Sequence, residues 1–125
     1  MENPDSSKMT MSEFYKTVGG DISDVIERLE DIDIVESFVL GFEYDPSYSE
    51  LMKSLDEGDI KSAFRAAHTL KGICYNFGFK RLGDHAVIVC DKLREGIPPD
   101  EVLLQQLASE YNRVICAIQS LRNDN

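Results

Sequence analysis

Apolar residues in the middle of the chain stand at Ala63, Ala66, Ala67, Leu70, Ile73, Cys74 and Phe77. Steps of three and four predict a helix, not a strand. Asp59, following the turn residues Glu57 and Gly58, reads as its N-cap, and Gly78 as its end, giving a helix over 59–77. The same pattern recurs on both sides. Met11, Phe14, Tyr15 and Val18 share a face of a short helix over 9–18, which Gly19 and Gly20 end. Asp21 caps a second short helix over 22–29, with Ile22, Val25, Ile26 and Leu29 inward. Asp31 or Asp33 opens a third, whose stripe is Ile34, Val35, Phe38, Val39 and Phe42. Pro46 interrupts that stripe. Asp45 as N-cap and Pro46 at the first helical position would restart a helix through Leu55, so 34–57 is either one kinked helix or two short ones. Its later part should bury Tyr48, Leu51, Met52 and Leu55.

Downstream, a helix over 79–94 should pack through Leu82, Ala86, Val89, Cys90 and Leu93. A loop over 95–100 leads to a last helix ending near 121, whose seam is Leu104, Leu107, Tyr111, Val114, Ile118 and Leu121. No strand pattern and no internal repeat appear. Short loops between helices of this length imply antiparallel neighbours. The expected fold is therefore all-α: an antiparallel four-helix bundle over 34–57, 59–77, 79–94 and 100–121, with additional short N-terminal helices covering one end or side. Residues 1–8 read as a disordered tail, and 9–122 as a single domain.

A length of 125 residues suffices for one domain with a proper core. No apolar run approaches the ~20 residues that span a membrane, and the first residues lack the apolar stretch of a signal peptide. A cytoplasmic protein without membrane contact is expected. Its net charge of −10 argues against nucleic-acid binding. The charge is unevenly spread, however. Between 59 and 82, Lys61, Arg65, Lys71, Lys80 and Arg81 stand against Asp59 alone. A basic island on an acidic body suits an acidic partner site. Cys74, Cys90 and Cys116 are too few and too scattered for a disulfide framework or a zinc site. Cys74 and Cys90 fall at core positions, whereas Cys116 reads as partly exposed.

At about 100° per residue, His68 projects roughly 150° from the centre of the apolar stripe on its helix. The outer face then carries Phe64, His68, Lys71, Gly72 and Tyr75. An ordinary wet face would carry Glu, Gln and Lys. Here an imidazole stands among two aromatics, a cation and a glycine that costs about 1 kcal/mol against alanine inside a helix. Taken singly, each residue has a plain explanation: a surface histidine, a solvated lysine, an untidy helix position. The combination at fixed spacing points instead to phosphoryl transfer. An exposed imidazole offers a lone pair as nucleophile, Lys71 would offset the charge of a phosphoryl group, Gly72 would keep the approach open, and Phe64 and Tyr75 would dock the partner.

His68-Thr69-Leu70-Lys71-Gly72, followed by Asn76 and Gly78, resembles the signature of histidine phosphotransfer (Hpt) domains, the four-helix-bundle intermediates of two-component phosphorelays. The resemblance is specific over 59–83 and looser from 11 to 121. It implies that His68 is the phosphoacceptor, that Lys71 supports the phosphoryl group, and that Gly72 leaves room for a partner. Asn76 and Gly78 match the helix end and the turn after it, and are expected to join Phe64 and Tyr75 in binding. Ile73 and Tyr75 depart from the small residues usual there, which points to specialised partner choice. The implied partner is a receiver domain of a response regulator or hybrid sensor kinase, whose acidic pocket holds the divalent metal. This chain itself should need no metal or cofactor, should be no kinase because it has no Gly-rich nucleotide loop, and is expected to be a monomer. Two rival readings remain: an adaptor that binds receiver domains without being phosphorylated, and a metal enzyme built on His68 and His85. The second is disfavoured because the two histidines lie on different helices with no E-x-x-H motif. His85 reads as structural or merely exposed, and Phe79, Lys80 and Arg81 as framing the docking surface near Tyr75.

Overall fold

A computed structural model describes residues 9–123, so the expected tail over 1–8 lies outside the described residues. Helix starts follow the capping residues. Thr10 and Glu13 form a reciprocal capping box at the start of α1, Met11–Val18, which ends on Gly19 in the left-handed conformation. Asp21 accepts a hydrogen bond from the Ser23 amide to open α2, Ile22–Leu29, and Asp31 does the same with the Asp33 amide for α3, Ile32–Gly41. The break near Pro46 makes two helices rather than one kinked one. A 3-10 turn, Phe42–Tyr44, follows α3, and the Asp45 carboxylate accepts from the Ser47 amide to start α4, Ser47–Asp56. Pro46 stands just before the first helical residue, not in it. Asp59 caps α5, Ile60–Phe77, which Gly78 ends; α6 is Lys80–Arg94, and Asp100 caps α7, Glu101–Arg122.

The architecture is all-α, with no strand among the described residues. α4, α5, α6 and α7 pack in sequence, joined by short loops. α3 lies along α5 and α7 and continues the arm begun by α4, so that 32–56 is one side of the bundle broken in the middle. The break is tied down from α7: Arg122 pairs with Glu43 and donates to the Leu40 carbonyl at 3.0 Å, while Gln119 reaches Glu43 at 3.2 Å. α1 rests on α6 and α7, and α2 on α1 and α3.

The core carries small residues on one side and rings at one end. Ala63, Ala66 and Ala67 of α5 are buried, as are Ser47 and Ser54 of α4, and such small groups let two helices approach closely. At the far end of α5, Phe79 touches Phe14, Phe42 and Phe77 edge-on, with centroids 5.0–6.1 Å apart. Phe79 is fully buried. It therefore belongs to the core and does not frame a docking surface.

Three expected stripes shift. Ile34 and Phe38 are 44% and 46% exposed, because α3 buries only Val35 and Val39 between α5 and α7. On α4, Leu51 is buried with Ser47 and Ser54, while Tyr48, Met52 and Leu55 are half-buried. On α7, Leu103 enters the core instead of Leu104; the two are neighbours, and only the direction of the facing helix chooses between them.

Candidate functional site

The N-terminal helices hold the end of α5. A helix leaves its last four carbonyls without partners inside itself. Here each finds a donor. The Cys74 carbonyl accepts from the amides of Gly78 and Phe79. Arg28 of α2 donates to the Tyr75 carbonyl at 3.0 Å and the Asn76 carbonyl at 2.8 Å. The Tyr15 hydroxyl of α1 donates to the Phe77 carbonyl at 2.7 Å. The chains approach closely: a Cβ on Gly20 would stand 2.0 Å from the Gly78 carbonyl oxygen, so only glycine fits. The helix bearing His68 is thus fixed by the bundle along its length and by α1 and α2 at its C-terminus.

His68 lies on the exposed side of α5. Among the described residues none hydrogen-bonds to its imidazole, whose one recorded partner is the ring of Phe64, 5.9 Å away and inclined by 29°. Both ring nitrogens are accordingly available. Lys71, one turn on, is half-buried and makes no ion pair among the described residues. Its charge and that of Arg94 partly counter the upward push that burial gives the Cys90 thiol of α6. Gly72 is exposed, and a Cβ there would meet no heavy atom within 4 Å. Phe64 is half-buried, with the Arg94 guanidinium 5.5 Å from its ring centroid. Tyr75 is 42% exposed and donates to Asp84 at 2.7 Å.

The structure therefore brings Phe64, His68, Lys71, Gly72 and Tyr75 to one side of α5. Asn76 is exposed on the same helix, its carbonyl held by Arg28. Gly78 is different. Its φ of 83° needs glycine, and a Cβ would stand 2.5 Å from Val25 and 3.0 Å from the Tyr15 ring. It is half-buried and packs under α1 and α2. The basic island also thins out. Arg81 donates to the Thr17 carbonyl at 3.1 Å and lies against Gly19, and Lys80 pairs with Asp84 at 3.4 Å. Neither is a free cation beside His68.

Arg94, Gly83 and Asp84 are the site neighbours that spacing along α5 does not show. All three lie on α6, and only the antiparallel pairing of α5 with α6 brings Arg94 to Phe64 and Asp84 to Tyr75. His85 is half-buried, with Nδ1 2.9 Å from the Arg81 carbonyl oxygen of its own helix. Among the described residues no group of three or more His, Cys, Asp or Glu side chains is placed to hold a metal ion. A cleft of about 360 Å³ between α4 and α5 does not include His68; it is lined by Lys53 and Arg65 together with Glu50, Glu57 and Asp59. The imidazole stands on the open surface, reachable by another protein.

A family model, that of the Hpt domain, matches residues 43–116. The chain belongs to the Hpt family. The match covers α4, α5, α6 and most of α7, and leaves α1, α2 and α3 before it. No curated protein and no solved structure matches the chain. Hpt domains are helical bundles that serve histidine phosphotransfer in two-component signalling; they carry phosphoryl groups, are not kinases, and work with receiver domains. No described helix of this Hpt protein is long and apolar enough to cross a membrane.

Proposed function

We propose that this protein is a relay intermediate that accepts a phosphoryl group on His68 from the phospho-aspartate of one receiver domain and delivers it to another. The observation that carries this reading is the His68 imidazole itself: exposed, without a hydrogen-bond partner among the described residues, and followed one turn later by a half-buried lysine and an open glycine. A lone pair of the imidazole attacks phosphorus in line. The P–N bond forms as the acyl P–O bond breaks, the bonding pair leaves with the aspartate carboxylate, and the other ring nitrogen keeps its proton. Lys71 faces the added negative charge, and Gly72 leaves the approach open. The acidic pocket and its divalent metal belong to the receiver. A rigid helix supplies placement, which is most of what such a transfer needs. The protein acts in the cytoplasm, as a monomer, through its single domain over 9–122.

The test is transfer from a pre-phosphorylated receiver domain to the purified protein, with His68→Gln beside it. The expected product is acid-labile, alkali-stable label on the wild type and none on the variant. The adaptor reading, which the bulk of Tyr75 favours, predicts receiver binding with no label on either protein.

A further inference from the structure

Tyr75 is seven residues beyond His68, about 10 Å along the helix axis and on the same side of α5. Two features of α6 fix its ring. The hydroxyl donates to Asp84 Oδ1 at 2.7 Å, and Lys80 Nζ lies 3.4 Å from the other oxygen of that carboxylate. The ring lies over Gly83, where a Cβ would stand 3.0 Å from Tyr75 Cε1 and 3.2 Å from Cδ1. A Cβ there would also stand 3.2 Å from Cys74 Cβ, so a larger residue at 83 must push the ring outward or part α5 from α6. Burial and the carboxylate acceptor push the Tyr75 phenol up to about 12, so it remains a neutral donor at ordinary pH. Its one proton is committed to Asp84. The residue as a whole is 42% exposed, which leaves part of it to a partner. Phe64, on the other side of His68, is braced from α6 by Arg94.

From this geometry we propose that Tyr75 is a specificity-determining residue for the receiver domain, positioned by Gly83 and Asp84, and that it selects receivers presenting a small or apolar side chain opposite its ring. The proposal rests on the phosphotransfer reading of His68. The occupant follows from continuity: Tyr75 shares the exposed side of α5 with the imidazole, and an Hpt domain works with a receiver. A ring tethered at its hydroxyl and seated on Gly83 discriminates by shape. A receiver with a bulky group at the facing position is held off the imidazole. A misplacement of ~1 Å is enough to cost about 100-fold in transfer. Tyr75 lies two turns from His68, so it governs which receiver closes and not the phosphoryl exchange that follows.

The experiment charges a panel of purified receiver domains with acetyl phosphate and measures the rate of label transfer to His68 for each. The wild type is expected to spread the panel widely. Tyr75→Ala should narrow the ratio of fastest to slowest about tenfold, chiefly by accelerating the slow receivers. Gly83→Ala should reorder the panel as the ring is displaced, and Tyr75→Phe, which keeps the ring and loses its tether, should narrow the ratio less than Tyr75→Ala. An unchanged ranking in Tyr75→Ala, with His68 still labelled, overturns the proposal alone, as does a wild type that accepts from every receiver equally fast. No label from any receiver overturns the reading of His68, and the proposal falls with it.

Discussion

An alanine at position 72 would meet no heavy atom within 4 Å, so packing does not require the glycine there. Helix propensity argues against it by about 1 kcal/mol. Stability and access to the imidazole are therefore separable at this residue. Gly72→Ala is expected to raise the thermal midpoint by several degrees. Gly72→Gln should fold equally well yet slow transfer from a receiver domain at least tenfold, because its side chain stands one turn from His68. The shared side of His68, Lys71 and Gly72 was legible in the sequence because they lie within five residues of one helix, where angular spacing alone sets the face. Arg94 was not legible: the chain separates it from Phe64 by 30 positions, and the contact exists only through the register of α5 on α6. Arg81 misled for the same reason. Its charge counts towards a basic island in the sequence, but its guanidinium goes to the end of α1.

Helix boundaries were readable because their chemistry is local. Asp21, Asp31, Asp59 and Asp100 each cap the helix that follows, and each accepts from an amide two or three positions on. Which face of a helix is buried is less local. Phe38 satisfies the apolar period of α3 but stacks on Phe77 at 5.2 Å and stays half in water, since α3 buries only Val35 and Val39. The hairpin of α1 and α2 has a role that no periodicity announces, to supply donors to the end of α5. Its attachment has two measurable components. Arg28→Ala removes hydrogen bonds to two carbonyls that water can then reach, and should lower unfolding free energy by about 1–2 kcal/mol in urea. Gly20→Ala places a methyl group into the Gly78 carbonyl and must part the two turns, with an expected loss of roughly 3 kcal/mol.

For the molecule as a whole, alkaline pH is the condition that tests the packing of its rings. Burial raises the ionisation of Tyr15 well above that of a free phenol, and raises Tyr48, Tyr111 and Cys74 in the same direction. Below about pH 8 the phenols and the Cys74 thiol are neutral whether folded or not, so they make stability no function of pH. Above it the unfolded chain releases protons that the folded protein keeps, and stability falls as pH rises towards the folded-state values. Urea midpoints are expected to hold up to about pH 8, to decline first as the Cys74 thiol ionises in the unfolded chain, and to fall more steeply above about pH 9 as the phenols follow. Tyr15→Phe should be about 1 kcal/mol less stable at neutral pH, where the Phe77 carbonyl loses its donor, and should decline less steeply in alkali.

The donors that α1 and α2 supply to the end of α5 also bear on how the protein opens. A helix whose last carbonyls face water frays one turn at a time. Here the final turn of α5 cannot loosen unless Arg28 and Tyr15 let go, so the amides of Gly78 and Phe79 should exchange with solvent in step with those of α2, as one cooperative unit. Two helices that precede the family match thereby set the lifetime of the turn that carries Tyr75.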